Sequence, residues 1–112
     1  SDVDAFEREA LARAGLDFAL VPPRYRSAYY LHVFAGGYAS GYYSYLWTEV
    51  LDHNIYEWFA AHGGLTRENG QRFREMVLSR GNTAPVGTFF TNFTGLTEPD
   101  MSSLLRSRGL AK

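Results

Sequence analysis

The stretch Ser40-Gly41-Tyr42-Tyr43-Ser44-Tyr45-Leu46-Trp47-Thr48-Glu49-Val50-Leu51-Asp52-His53-Asn54-Ile55-Tyr56-Glu57-Trp58-Phe59-Ala60-Ala61-His62 decides the fold. Tyr43, Trp47, Val50, Leu51, Ile55, Trp58 and Phe59 recur at spacings of three and four, while Glu49, Asp52, His53 and Glu57 fill the other faces. That period stacks the apolar side chains into one stripe along an α-helix. The spacing predicts a helix from Tyr38 or Ser40 to about His62, ended by Gly63-Gly64.

Towards the N-terminus, Ala35-Gly36-Gly37 is a sharp break, where the backbone can take a positive φ or approach another group closely. Ala28 to Phe34 is aromatic and branched, and leaves helix and strand equally open. Before it, Val21-Pro22-Pro23-Arg24-Tyr25-Arg26-Ser27 must be a connector, because paired prolines fix φ and remove amide donors. Asp4 to Ala14 consists of strong helix formers and stops at Gly15. Towards the C-terminus, Thr66 is the expected N-cap of a helix with Phe73, Met76 and Val77 facing inward, closed by Gly81-Asn82. Val86 to Phe93 reads as a short helix. Thr97-Glu98-Pro99-Asp100 supplies a cap at Thr97 and a first-turn proline for a last helix through Leu104 and Leu105 to Gly109. With no repeats and no alternating strand pairs, the expected class is all-α.

Composition narrows the function. The chain has 112 residues, 11 basic and 12 acidic side chains and no cysteine. One domain, or one piece of a larger domain, fits that length. Balanced charge without a basic run argues against nucleic-acid binding. The absence of cysteine removes disulfides, thiolate metal sites and cysteine nucleophiles together, and is compatible with a reducing cytoplasm. No apolar run approaches the ~18–20 residues of a membrane helix, and the acidic start is unlike a signal peptide, so a soluble protein with no membrane partner is expected.

The usual catalytic motifs are missing. A helical zinc peptidase needs His-Glu-x-x-His, which puts two imidazoles and a general base on one helical face. Here His53 and His62 are too far apart to share a turn, and His32 lies across the glycine break, so no metal ligands are expected in this chain. There is no Gly-x-Ser-x-Gly elbow. Gly36-Gly37 lacks the lysine of a phosphate loop, because Lys112 is the one lysine present.

What stands out is a concentration of phenols. Seven of the eight tyrosines lie between Tyr25 and Tyr45, beside Gly36, Gly37 and Gly41. If Tyr38 opens the long helix, Tyr42 and Tyr45 follow on its face, and Tyr43 points towards Trp47 and Val50. Phenols, with a pKa of about 10, are neutral hydrogen-bond donors at physiological pH, suited with an imidazole to a neutral polar substrate or a developing oxyanion. The same residues also suit plain packing with hydroxyls at the rim and a glycine turn.

At these residues a resemblance becomes specific. Pro22-Pro23-Arg24-Tyr25-Arg26-Ser27, then His32-x-Phe-x-Gly-Gly-Tyr38-x-x-Gly-Tyr-Tyr43-x-Tyr45-Leu-Trp47, is similar to the C-terminal region of the peptidyl-dipeptidase branch of the thimet oligopeptidase family of zinc metallopeptidases. Gly63 to Gly70 and on through Arg74, Leu78-Ser79-Arg80-Gly81-Asn82, and Arg108-Gly109-Leu110 continue the match, which spans about Leu20 to Leu110.

The resemblance implies a C-terminal helical subdomain of a two-lobed, mostly helical metallopeptidase that cleaves short peptides. Residues 1–112 would be a single helical unit of its catalytic domain, with a substrate loop at about 32–45. It implies His32, Tyr38 and Tyr45 as catalytic residues that contact the substrate backbone and stabilise the tetrahedral intermediate, and Gly36, Gly37, Gly41 and Tyr42 as substrate-binding residues. Zinc is implied for the full-length parent, with its ligands upstream. This chain alone would then bind no catalytic zinc and hydrolyse nothing, its partners being the peptide substrate and the rest of the catalytic domain. The alternative is a separate helical module that associates with itself or with a catalytic partner through exposed apolar surface. A start at Ser1-Asp2 without methionine points to a cleaved or excised piece.

Elsewhere, ordinary roles are expected. His53 and His62 belong to a polar face or a helix end, Trp47, Trp58, Phe59 and Phe73 to the core, and Arg24 and Arg26 to surface pairing rather than to a substrate carboxylate.

Overall fold

A computed structural model describes residues 2–112. The described residues are all-α, as the spacing predicts, with helices α1 (Val3–Ala14), α2 (Leu31–Phe34), α3 (Ser44–Ala61), α4 (Arg67–Met76), α5 (Val86–Thr94) and α6 (Met101–Ser107). They form two compact units, Ser1–Tyr42 and Tyr43–Lys112.

In the first unit, Asp2 caps α1 by accepting the Ala5 N–H at 3.1 Å, and Gly15 ends it at φ 69°. Only glycine takes that left-handed conformation without a Cβ clash. The connector is tied back to α1 by ion pairs and a hydrogen bond. Arg26 reaches Asp4 at 3.3 Å and Glu7 at 3.7 Å, and the Ser27 N–H donates to Glu7 at 3.4 Å. The ambiguous segment 28–34 resolves into a single 3-10 turn, Ser27–Tyr29, followed by the one-turn α2.

The buried apolar side chains, Val50, Phe59, Phe90, Phe93 and Leu104, all belong to the second unit. There α3 packs on α5 and α6, and α4 packs on α5. Phe93 is completely buried and holds the aromatic core together, with ring centroids 4.4 Å from Trp58, 5.8 Å from Phe59 and 5.2 Å from Phe73. Arg72 covers this core, its guanidinium 5.3 Å from the Trp58 ring and donating to the Phe93 carbonyl at 3.3 Å. A planar cation over an aromatic face gains from the ring quadrupole while its stem shields apolar surface.

Three expectations need correction. The long helix starts at Ser44, so residues 38–43 are turn, and Tyr38, Tyr42 and Tyr45 are not stacked along one helical face. Its stripe is only partly buried, with Tyr43 73% and Trp47 51% exposed, while the polar Asn54 is buried instead. The cap of α6 is Asp100, whose side chain accepts the Ser102 N–H at 2.9 Å, rather than Thr97. Asp100 wins because it stands immediately before the first helical residue, where its carboxylate can reach the open amides. Thr66 caps α4 as expected, accepting the Asn69 N–H at 3.2 Å. That helix ends at Met76 and is followed by a 3-10 segment, Leu78–Thr83, which is kinked at Gly81 and Asn82, where the backbone leaves helical geometry.

Candidate functional site

The tyrosine-rich segment owes its shape to its punctuation. Pro22-Pro23 keeps the chain extended up to Arg24, the 3-10 turn redirects it, and α2 is closed by Ala35 and Gly36 N–H groups donating to the Leu31 carbonyl at 2.8 and 3.1 Å. Gly36 is required by close approach: a Cβ there would lie 2.9 Å from the His32 carbonyl oxygen. Of the two roles open to the glycine break this is the second, since neither Gly36 nor Gly37 has a positive φ. The left-handed residue of the loop is Ser40, at φ 58°, and the turn closes with the Gly41 N–H donating to the Tyr38 carbonyl at 3.0 Å. A non-glycine residue in that region stores ~1–2 kcal/mol of strain, of the kind that concentrates at functional loops.

Folding this way gathers rings that lie four to twelve residues apart in sequence. His32 lies 6.0 Å from Tyr38 and 5.6 Å from Tyr42, and Tyr38 and Tyr42 are 6.1 Å apart, edge to face. Tyr42 also meets Tyr30 edge-on at 4.9 Å, Tyr30 stacks on Tyr25 at 5.4 Å, and Tyr25 returns to His32 at 6.4 Å. All these separations suit attractive aromatic geometry. Burial, followed by a hydrogen bond with Tyr42 and the nearby Tyr42 and Tyr25 phenols, pushes the Tyr30 phenol up to about 12. Its proton is therefore secure, and it acts only as a neutral hydrogen-bonding group at physiological pH.

His32, Tyr38 and Tyr42 are thus brought together within the first unit, with Gly36, Gly37 and Gly41 on the connecting backbone. Tyr45 stands in the first turn of α3, in the second unit, with half its surface exposed. Tyr25 and Tyr30 were not among the expected site residues. The signal that could have found them was the density of tyrosines itself. They form, with Pro23, Arg24 and Tyr42, a surface hollow of about 390 Å³.

A separate polar face joins α3 to α6. Arg108 grips Glu49 with both contacts at 2.7 Å, and Arg106 grips Glu57 at 2.6 and 2.7 Å. Arg108 holds the Glu49 carboxyl below its ordinary range, and Glu57 raises the Arg106 guanidinium further above its own. His53 meets the Ser107 hydroxyl at 3.2 Å, which places it on the expected polar face. His62 caps α3, its Nδ1 2.7 Å from the Trp58 carbonyl oxygen and its ring stacked on Trp58 at 4.1 Å. Among the described residues, no three His, Asp or Glu side chains converge as a metal-ligand set. None of the described helices is long and apolar enough to cross a membrane.

Comparison with known proteins places the chain in a family. The model of peptidase family M3 matches residues 3–110. The chain is similar to the dipeptidyl carboxypeptidase of Salmonella typhimurium, 53% identical over 108 residues, which are 96% of this chain and 16% of that protein. It is likewise similar to the dipeptidyl carboxypeptidase of Escherichia coli, 50% identical over 109 residues, 97% of this chain and 16% of the relative. Oligopeptidase A of Haemophilus influenzae is 40% identical over 96 residues, 86% of this chain and 13% of that protein. The chain therefore spans about a sixth of the length of the dipeptidyl carboxypeptidases it matches. It belongs to peptidase family M3.

Proposed function

We propose that this chain is the C-terminal part of a zinc-dependent peptidyl-dipeptidase or oligopeptidase and supplies substrate-binding and oxyanion-stabilising groups to its cleft. The observation that carries the proposal is the gathering of His32, Tyr38 and Tyr42 around one another on a glycine loop. A peptide carbonyl set against this cluster would accept hydrogen bonds from neutral donors. As negative charge develops on that oxygen, those bonds strengthen, and one donor of this type is worth ~2.7–4 kcal/mol. Tyr38 takes that role, Tyr45 of the second unit is assigned the same part by its place in the family resemblance, His32 contacts the substrate backbone, and Tyr42 contributes to substrate binding. Gly37 has no heavy atom within 4 Å of where a Cβ would stand, which supports close passage of a peptide along the loop.

A catalytic zinc belongs to this reading and would supply Lewis acidity in the parent. The residues of this chain do not fit it, since no ligand set converges among those described and His-Glu-x-x-His is absent. Its ligands are assigned to the remainder of the catalytic domain, which is the chain's principal partner. The test is steady-state kinetics of the full-length protein on short peptides. Tyr38→Phe and Tyr45→Phe should each lower kcat by ~10²–10³-fold while changing KM little, as loss of a transition-state donor does. Unchanged kcat in both variants would remove the assigned role.

A further inference from the structure

Two arginines flank Tyr25, and the structure treats them differently. Arg26 is neutralised by Asp4 at 3.3 Å and Glu7 at 3.7 Å. Arg24 has no carboxylate partner among the described residues; its guanidinium lies 5.4 Å from the centre of the Tyr25 ring, at the edge of the hollow formed with Pro23, Tyr30 and Tyr42. Pro23 fixes the backbone just before it, and the Tyr25–Tyr30 stack holds the ring over which it lies.

We propose that Arg24 and this hollow receive a carboxylate, the free C-terminal carboxylate of a peptide substrate, and so set the preference for cleavage near a C-terminus. The assignment rests on the peptidase reading above and names the subsite within it. A guanidinium presents a planar pair of N–H donors that matches a carboxylate in two parallel hydrogen bonds, and Arg24 has no acid of its own to satisfy that fork. The hollow suits an anion, because no acidic residue is among those that line it. The hollow's volume of about 390 Å³ lies in the range of small-ligand sites, ~300–1,000 Å³. Tyr42 lines the hollow and also meets His32 at 5.6 Å, so the carboxylate subsite adjoins the ring cluster assigned to the peptide backbone. Arg26 cannot take this part without giving up its two acids.

The experiment uses the full-length protein with three versions of one short peptide: the free acid, its C-terminal amide, and the amide carrying a glutamate as last residue. The wild-type protein should cleave the free acid with a kcat/KM at least ~10-fold above that of either amide, an ion-pair contribution of ordinary size. Arg24→Ala should abolish that preference, the loss falling on the free acid through KM. Arg24→Lys should restore part of it, since an ammonium keeps the charge without the fork. A free-acid preference that survives Arg24→Ala, or an equal loss on free acid and amide, would overturn the subsite. A glutamate amide that matches the free acid would also overturn it, by making the site one for side-chain carboxylates. A wild-type protein that cleaves none of the three would instead refute the peptidase reading, and Tyr38→Phe, which should slow all three alike, separates the two failures.

Discussion

Asn54 and Asp100, 46 positions apart, are joined by two hydrogen bonds: the Asn54 side-chain amide donates to the Asp100 carbonyl at 2.7 Å, and the Asp100 N–H donates to the Asn54 side-chain oxygen at 2.7 Å. The same amide reaches the Val50 carbonyl and the Ser103 hydroxyl, so one buried side chain fastens α3 to the N-terminus of α6. Asn54→Ala leaves the Asp100 amide without its partner beside the core, and an unsatisfied buried group costs ~1–3 kcal/mol. The denaturant midpoint of the second unit should fall accordingly with an unchanged m value. An Asn54→Ala protein as stable as wild type would show that water replaces the side chain there.

Acid should loosen the same interface. Hydrogen bonding from Arg108 holds the Glu49 carboxyl below its ordinary range, and hydrogen bonds from Ser102 do the same for Asp100. Both folded values lie below the unfolded ones of about 4, so their contribution is present above that pH and is lost as pH falls through the depressed folded values. Thermal unfolding between pH 6 and pH 2.5 should show the loss beginning near pH 4. Glu49→Gln should flatten that slope, and an identical pH profile would contradict the assignment.

At the alkaline end the first unit carries the signal. The Tyr30 phenol, pushed up to about 12 by burial and by Tyr42, lies above its unfolded value of about 10. Its contribution is complete below pH 10 and disappears as pH rises through 12. Ultraviolet titration of tyrosinate should reveal one phenol ionising later than the others, and Tyr30→Phe should remove that late step. A wild-type titration without a late phenol would show the ring to be more open to water than its neighbours suggest.

The two adjacent glycines should differ sharply. A methyl group at Gly36 would stand 2.9 Å from the His32 carbonyl, whereas one at Gly37 meets nothing within 4 Å. Gly36→Ala should therefore displace the loop at a cost of ~1–3 kcal/mol, and Gly37→Ala should change stability by no more than ~0.5 kcal/mol. Amide hydrogen exchange across residues 35–41 measures both. Equal protection in the two variants would mean that the backbone yields easily at Gly36.

Much of the architecture was legible because its signals are local. Gly15 takes a left-handed conformation that other residues avoid, Thr66 carries the right side chain one residue before a helix, and Gly63-Gly64 ends α3, whatever surrounds them. The candidate site was partly legible for a different reason, since tyrosine density and the family resemblance both point to the segment 22–47. What periodicity could not say was which part of a stripe becomes covered. Trp47 shares its spacing with Val50 yet stays half exposed, while Asn54, outside the stripe, is buried because its amide finds partners on α6.

The sequence by itself determined an all-α protein of peptidase family M3, because helical period, caps and glycine stops act within a few residues and the family strings are read directly. Only the tertiary structure decided that Tyr25 and Tyr30 join His32, Tyr38 and Tyr42, that Gly36 serves close approach while Ser40 takes the left-handed turn, and that Arg26 is neutralised while Arg24 is left facing a hollow. Those outcomes depend on where a turn of residues 35–43 carries each ring and on which acids α1 presents to the connector. No count of residues along the chain contains that information, because through-space distances between side chains are set only when the backbone closes on itself.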